Sequence, residues 1–492
     1  MVRPGALVRS GAALLRRHWL VTLLVCVAAV PRLAAMLAYR RPLAFADSYA
    51  YVSGAEAWRP TAERPFGYSA YLTMFLPLHH PWLVSGIQHT LGLAMVVGAY
   101  IFLYRRGVPR WLATLGVTLP ALDAHMVTLE HYLLSETLFT AVLFAGVMAL
   151  LSRGRMPAWR GALAGALLAA TALIRAIGLP LLGIAALYLL VRRLGWRAVA
   201  AFALAAAIPL AGYSVWFHHY YDVYGLTAFE GRNLYARTAT FVDCDRLRLT
   251  PQQRELCPKQ PLGHRYERTD TYVWTGANPL NDKHGMTTAD EPLMRSFALT
   301  AITGQPGDYV LTVLRETSWH LLNTGPHTDG SRCLLRAWQF PVDQRDVCQS
   351  GVYRQPDWQH TGPRKHALRT ALHQYSLIGS TPGVVLTLCL LLTMIGVAWR
   401  RRGQRWRDAW RVDGSARLDA IVLGLIGLSM IVLSVATLMY DARYGVPSVL
   451  FISLGTALAA NRIIDRTPPP APAGSPPLSR CPEPDTAGGV AA

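Results

Sequence analysis

The run WLVTLLVCVAAVPRLAAMLAY at residues 19–39 decides the fold class of this chain. It is almost wholly apolar, and its length matches the roughly 20 helical residues that cross a bilayer core about 30 Å thick. The composition of the chain agrees, because 52% of its 492 residues are hydrophobic and only 16% are charged, against roughly 25% charged in soluble domains. The sequence therefore predicts an integral membrane protein.

Further apolar segments follow the first, and together they predict an all-α polytopic membrane protein with about ten transmembrane helices. The fifth and sixth segments form a helical hairpin in this prediction, because Arg175 and the sequence Gly178-Leu179-Pro180 interrupt the run between them. The ten segments are 19–39, 82–104, 111–129, 132–151, 161–174, 177–191, 198–217, 378–399, 418–439 and 445–460.

Arginine clusters indicate which way the helices cross the membrane. They lie before the first segment and after the second, fourth, sixth, eighth and tenth, whereas the loops on the other side carry little positive charge outside residues 40–64. This bias is typical of cytoplasmic loops, and it also accounts for the net charge of +19 without a nucleic-acid partner. We expect a multi-pass protein of the bacterial plasma membrane with both termini in the cytoplasm.

Four regions follow from this topology. Residues 1–217 form an N-terminal membrane module that contains a first outward loop at 40–81, and residues 218–375 form an extracytoplasmic loop domain of mixed secondary structure. Residues 376–466 hold the last membrane helices. The tail at 467–492 is rich in Pro, Ala and Gly, a composition typical of disordered segments.

The loop domain contains Cys244, Cys257, Cys333 and Cys348, four of the seven cysteines in the chain. An even number of cysteines in an oxidising compartment favours disulfides. Short separations favour Cys244 with Cys257 and Cys333 with Cys348. Other connectivities remain open, and free thiols are the alternative.

Asp47 lies just beyond the first membrane segment, in the stretch FADSYAY at residues 45–51. If this stretch is helical, Asp47, Tyr51 and Gly54 share one face at the membrane edge. A carboxylate placed there is a candidate for catalysis. A helix cap or a solvated acid is the alternative interpretation.

Other ionisable residues also lie at the outward edge of the predicted membrane. Glu130 and Glu136 are candidates for catalysis or substrate binding, since acids at this depth carry a desolvation cost, although Glu136 also suits a helix N-terminus. Arg175 and Arg443 suit a phosphate, which the planar guanidinium binds through two parallel hydrogen bonds. An ion pair between Arg443 and Asp441 is the alternative.

Five short motifs occur in a fixed order: FADSYAY (45–51), RPFGYSAYL (64–72), EHYLLSETLFTAVLF (130–144), ATALIRAIGLPLL (170–182) and YDARYGVPSVLF (440–451). This set resembles the GT-C polyprenyl-phosphate-sugar glycosyltransferases. Within them it is most similar to the branch of protein O-mannosyltransferases and lipid A aminoarabinose transferases. The resemblance covers most of the membrane portion and less of the long outward segment.

The resemblance implies transfer of a hexose or pentose, with inversion, from a polyprenyl-phosphate donor to a glycan, lipid or protein acceptor outside the cytoplasm. Asp47 matches the family's first-loop acid and would be the general base. Because phosphate is a good leaving group, one base and nearby cations suffice. The implied substrate-binding residues are Glu130, His131, Glu136, Arg64, Tyr68, Arg175, Arg443 and Tyr444.

Metal use stays open in this sequence. Many family members carry two adjacent acids in the first loop, whereas Ser48 follows Asp47 here. A divalent cation is therefore possible, and no other cofactor is expected beyond the lipid-linked sugar, which is a substrate.

Two other functions fit the predicted topology. A secondary transporter or lipid flippase would also have many apolar helices, but it would place its charged residues near the bilayer midplane. A non-catalytic scaffold for envelope assembly would use the outward domain to bind a partner. Loss of activity on replacing Asp47 would exclude both.

Overall fold

The computed structural model describes residues 13, 15–78, 80–151, 154–325, 336–343, 363–400 and 405–464. Over these residues the chain folds into twenty α-helices. They are α1 (Trp19–Ala38), α2 (Ala46–Ala57), α3 (Gly67–Thr73), α4 (Trp82–Arg105), α5 (Arg110–Leu122), α6 (Ala124–His131), α7 (Glu136–Leu150), α8 (Ala158–Ile174), α9 (Gly178–Val191), α10 (Trp196–Tyr221), α11 (Glu230–Ala239), α12 (Pro251–Arg254), α13 (Asp270–Trp274), α14 (Pro279–His284), α15 (Glu291–Gly304), α16 (Pro306–Leu322), α17 (Pro363–Ile378), α18 (Gly383–Ala398), α19 (Trp406–Thr437) and α20 (Ala442–Ile464).

The apolar helices confirm an all-α polytopic membrane protein. Within the described ranges, five helices are long and apolar enough to cross a bilayer, namely α1, α4, α10, α20 and the part of α19 from Gly414 to Thr437. Two bent pairs, α5 with α6 and α17 with α18, raise the number to seven if each pair is one span. The helices α7, α8 and α9 are apolar but shorter. Nine of the ten predicted segments therefore coincide with one apolar helix each, and the segment 111–129 coincides with the bent pair α5 and α6. Three of the helices, α7, α8 and α9, are short for a full crossing.

Helix α20 lies at the centre of the membrane bundle. It packs against α5, α18 and α19, and nearly all of its residues from Arg443 to Ala460 are buried. A second close contact joins α8 to α10, where a Cβ atom on Gly161 would lie 2.4 Å from the carbonyl oxygen of Ala198. Small residues allow membrane helices to approach this closely. The bundle thus holds the start of α20 in a fixed position.

The segment that was predicted to face outward, residues 218–375, differs from the prediction of mixed secondary structure. Among its described residues it contains only α-helices, short 3-10 helices and turns. The apolar residues Met294, Phe297, Ala298 and Ala301 follow a helical period on α15 and are buried. Met294, Phe297 and Ala301 form a separate hydrophobic core with residues of α11 and α13. The domain is therefore helical because its apolar residues are spaced for helices.

The structure places a disulfide between Cys244 and Cys257, the pairing that their short separation favoured, with Cα atoms 6.2 Å apart. It closes a loop of the outward domain at the edge of this core. Cys333, Cys348 and the tail at 467–492 lie outside the described residues.

Candidate active site

The candidate site forms where the ends of several helices meet at one surface of the membrane bundle. Asp47 lies in the first turn of α2, where a negative charge is favourable. The hydroxyl oxygen of Ser48 accepts a hydrogen bond from the N–H of Phe45 and donates one to the carbonyl oxygen of Leu133, both at 2.9 Å. A short parallel bridge between Leu43 and Tyr132 adds two backbone hydrogen bonds. These bonds fix α2 beside the start of α7, and with it Asp47 beside Glu136.

Three arginines and three carboxylates meet at this point. Arg64 Nη2 lies 2.7 Å from Asp47 Oδ1, and Arg443 Nη1 lies 2.9 Å from Asp47 Oδ2. Arg443 also contacts Glu136 at 3.7 Å, and its Nε lies 3.1 Å from Asp441 Oδ2. The sixth member is Arg175, which is ion-paired with Glu136. The cluster is balanced in formal charge when all six side chains are ionised.

Aromatic rings surround the guanidinium of Arg443, whose side chain is only 5% exposed. Its central carbon lies 4.9 Å from the ring centres of Trp338 and Tyr444 and 5.1 Å from that of Phe45. The indole N–H of Trp338 donates a hydrogen bond of 2.6 Å to Asp441. Trp338 was not identified from the sequence, since it lies about a hundred residues from Asp441 without a motif around it. The rings keep water away from Arg443 and strengthen its ion pairs.

The pKa values of the two aspartates in the cluster are shifted in opposite directions. Burial alone would raise the pKa of Asp47, but the positive charges of Arg64 and Arg443 outweigh burial and hold this pKa well below its usual range. For Asp441, burial outweighs the charge of Arg443 and raises the pKa to about 6. Asp47 is therefore the acid that stays ionised at neutral pH and below.

A cavity of about 440 Å³ opens beside the cluster. Asp47, Tyr51, Arg64, Arg175 and Tyr444 provide its charged and polar wall on the side of the cluster. Further charged and polar side chains line the rest of the cavity, namely Glu63, Glu230, Asn233 and Arg295. The apolar wall comes mainly from the ends of apolar helices. It consists of Ile174, Ile177, Leu179, Pro180, Leu433 and Leu438, with Leu234 and Leu299 from the outward domain. The cavity thus joins a charged region to an apolar surface at the membrane edge.

Tyr68 lies behind this cavity rather than in its wall. Its hydroxyl donates a hydrogen bond of 2.9 Å to Gln88 Oε1, and its ring packs edge-on against that of Tyr51 at 4.8 Å. The hydroxyl of Tyr51 is in turn 2.8 Å from the hydroxyl of Ser135. Tyr68 therefore supports the wall through Tyr51.

Glu130 and His131 lie in a different cluster. Arg32 binds both carboxylate oxygens of Glu130 at 2.8 Å. The imidazole of His89 lies between the two predicted residues, with Nδ1 at 2.8 Å from Glu130 and Nε2 at 3.1 Å from His131. All four side chains are buried. Glu130 and His131 thus do not line the cavity. The carboxylate of Glu130 is already bound by the buried guanidinium of Arg32 from α1.

The other predicted residues lie close together. Asp47, Arg64, Glu136, Arg175 and Arg443 belong to the cluster, Tyr444 contacts Arg443, and four of these six residues line the cavity. Glu136 and Arg443 lie behind the cavity wall. Within the described ranges, no three His, Cys, Asp or Glu side chains lie close enough together to hold a metal ion.

The chain is similar to the crystal structure of ArnT from Cupriavidus metallidurans bound to undecaprenyl phosphate. The two chains are 12% identical, and the match covers 90% of this chain and 78% of that one with a TM-score of 0.31. No protein-family model and no curated protein matches the chain. A likeness this slight assigns no function, so the chemistry has to come from the residues of the site.

Replacement of Arg443 by Gln should destabilise the protein far more than replacement of Arg64 by Gln. Arg443 is buried against three carboxylates, and breaking such a pair costs about 3–5 kcal/mol. Arg64 is 22% exposed and contacts one carboxylate, so its loss should cost about 1 kcal/mol or less. Thermal unfolding of both variants in detergent measures the difference. Equal losses of melting temperature would show that Arg443 does not hold the cluster together.

Proposed function

We propose that this protein transfers a sugar from a polyprenyl-phosphate donor to an acceptor hydroxyl, with Asp47 as the general base. The observation that carries the proposal is the cavity, which places an ionised carboxylate and two partly exposed arginines next to an apolar wall. A lipid phosphate has the matching parts, since its phosphate needs cations and its chain needs apolar surface. The motif resemblance to GT-C enzymes supports the same function.

Arg64 and Arg175 are the phosphate-binding residues in this proposal. Their side chains are 22% and 19% exposed, and both line the cavity. Arg443 is buried behind Asp47 and is a positioning residue. The polyprenyl chain would lie against Ile177 and Leu433, which belong to the outward ends of two membrane helices.

The arrangement accounts for direct displacement at the anomeric carbon. The acceptor oxygen forms a bond to this carbon as its proton moves to Asp47. The bond from the same carbon to the phosphate oxygen breaks, and its electron pair leaves with the phosphate. A single displacement of this kind inverts the anomeric configuration, and Arg64 and Arg175 stabilise the charge that develops on the phosphate.

Binding of the donor would prepare Asp47 for this step. In the free protein Asp47 Oδ1 is paired with Arg64, which makes the carboxylate a weak proton acceptor. A phosphate that takes over Arg64 would release Oδ1 and bring a second negative charge close to it. Both changes raise the pKa of Asp47. Glu136 suits the role of base less well, because it is only 4% exposed and is held by Arg175.

The proposed setting is the extracytoplasmic face of the bacterial plasma membrane, with a glycan, lipid or protein as acceptor. The arginine-rich loops lie at the opposite ends of the helices, in agreement with this orientation. A transporter is less well supported, because the cluster lies at helix ends rather than near the middle of broken helices.

Replacement of Asp47 by Asn should lower sugar transfer by about 100-fold to 10,000-fold, the usual contribution of a general base. The measurement is incorporation of labelled sugar from a panel of undecaprenyl-phosphate sugars into envelope fractions, at equal protein levels. Asp282→Asn is the matched control, since that aspartate pairs with Lys259 at the exposed surface. A donor used equally by Asp47→Asn and wild type would rule out Asp47 as the base.

The pH dependence of transfer should differ between the free enzyme and the donor complex. The pKa of Asp47 is lowered in the free enzyme, so the base stays deprotonated in acid. An ordinary aspartate titrates at about pH 4, and kcat/KM should stay constant to well below that pH. Once the donor phosphate binds Arg64, the raised pKa of Asp47 should move the acid limb of kcat to higher pH. Steady-state rates across pH, at saturating and limiting donor, give both profiles.

The variant Arg64→Gln tests the cause of this difference. It removes one cation from Asp47 in the free enzyme, so the acid limb of kcat/KM should move up towards that of kcat. Coincident acid limbs in the wild-type protein would contradict the proposed exchange of Arg64 between Asp47 and the phosphate.

A further inference from the structure

A second cavity, of about 800 Å³, lies at the other end of helix α1 from the candidate active site. It is formed by residues just before and at the start of α1, by the last turns of α4 and by the start of α5. Twenty residues of helix, each rising about 1.5 Å, separate it from the outward end of α1 by about 30 Å. This cavity therefore opens at the opposite surface of the membrane.

The lining of this second cavity is positively charged. Arg16, Arg17 and Arg110 contribute three guanidinium groups, and no carboxylate is among the described lining residues. None of the three arginines forms an ion pair within the described part of the chain. Burial and the charges of Arg110 and Arg17 lower the pKa of His18, so its imidazole is neutral at neutral pH. Among the described residues, no acidic group thus balances the positive charge of the cavity.

Hydrogen bonds between different helices build this lining. Arg110 donates to the carbonyl oxygen of Arg17 at 3.1 Å, and Arg17 donates to the hydroxyl of Tyr104 at 3.4 Å. The imidazole Nδ1 of His18 lies 2.7 Å from the hydroxyl of Tyr100. Each guanidinium has five N–H donors, so these bonds leave donors available for a ligand.

Two exposed tryptophans indicate the depth of the cavity in the membrane. Trp19 and Trp111 belong to its lining and are 59% and 51% exposed. Tryptophan is enriched at the level of the lipid headgroups. The ligand of this site should therefore be anionic and should lie at headgroup level.

We propose that this cavity binds the phosphate of an anionic phospholipid in the leaflet opposite the candidate active site. The arginines contact the phosphodiester oxygens, and the tryptophans lie beside the glycerol and the upper acyl chains. The bound headgroup joins the start of α1 to α4 and α5. This site is independent of sugar transfer, because its residues lie at the far end of the helices from Asp47.

Native mass spectrometry of the full chain tests the proposal. The protein in detergent is titrated with phosphatidylglycerol, with phosphatidylethanolamine and, in a third arm, with phosphatidylglycerol plus inorganic phosphate. We expect preferential binding of phosphatidylglycerol that free phosphate does not displace. Equal binding of the two lipids, or complete displacement by phosphate, would overturn a phospholipid site.

The triple variant Arg16→Gln, Arg17→Gln and Arg110→Gln should bind phosphatidylglycerol roughly 100-fold more weakly, since each arginine contributes a factor of about five. The matched control is Arg192→Gln, Arg193→Gln and Arg197→Gln, which removes the same charge between the end of α9 and the start of α10. Equal loss in the two triple variants would show a general charge effect and overturn the site. If the triple variant does not fold, the single variant Arg16→Gln replaces it, because the exposed side chain of Arg16 forms no hydrogen bond within the described residues. This single variant should bind phosphatidylglycerol about fivefold more weakly. An unchanged affinity in this single variant would also overturn the site.

Discussion

The guanidinium of Arg443 contacts carboxylates from three separate parts of the chain. Asp47 follows the first membrane helix, Glu136 begins α7, and Asp441 precedes the central helix α20. Without this cation, three acids would face one another in a largely buried space, where unpaired charge is very costly. This one side chain therefore helps to hold the first loop against the membrane bundle, and together with Arg64 it keeps Asp47 ionised.

The same interaction explains how a buried acid could serve as a base. A buried carboxyl without cations would be protonated at neutral pH, and one held permanently by two arginines would be too weak a base. Here one arginine is buried and fixed, whereas Arg64 is partly exposed and lines the cavity. An anionic ligand can therefore replace Asp47 as the ion-pair partner of Arg64, while Arg443 keeps the carboxylate in place.

Much of the fold was predictable from local patterns, since apolar length, arginine bias and the interruption at Arg175 depend on nearby residues. The helical face of Asp47 was predictable for the same reason. Contacts between distant segments were not. Trp338 meets Asp441 across about a hundred residues, and Arg32 pairs with Glu130 across 98. The sequence showed Glu130 as an acid in the membrane, but only the packing of α1 shows that a protein cation already neutralises it.

The most direct test of the central claim is an experimental structure of the full chain with undecaprenyl phosphate. The account predicts phosphate oxygens within about 3 Å of the guanidinium nitrogens of Arg64 and Arg175, and the isoprenoid chain along Ile177 and Leu433. It also predicts that Arg64 has left Asp47 while Arg443 has not. A phosphate bound away from both Arg64 and Arg175, with the ion pair between Arg64 and Asp47 intact, would contradict it.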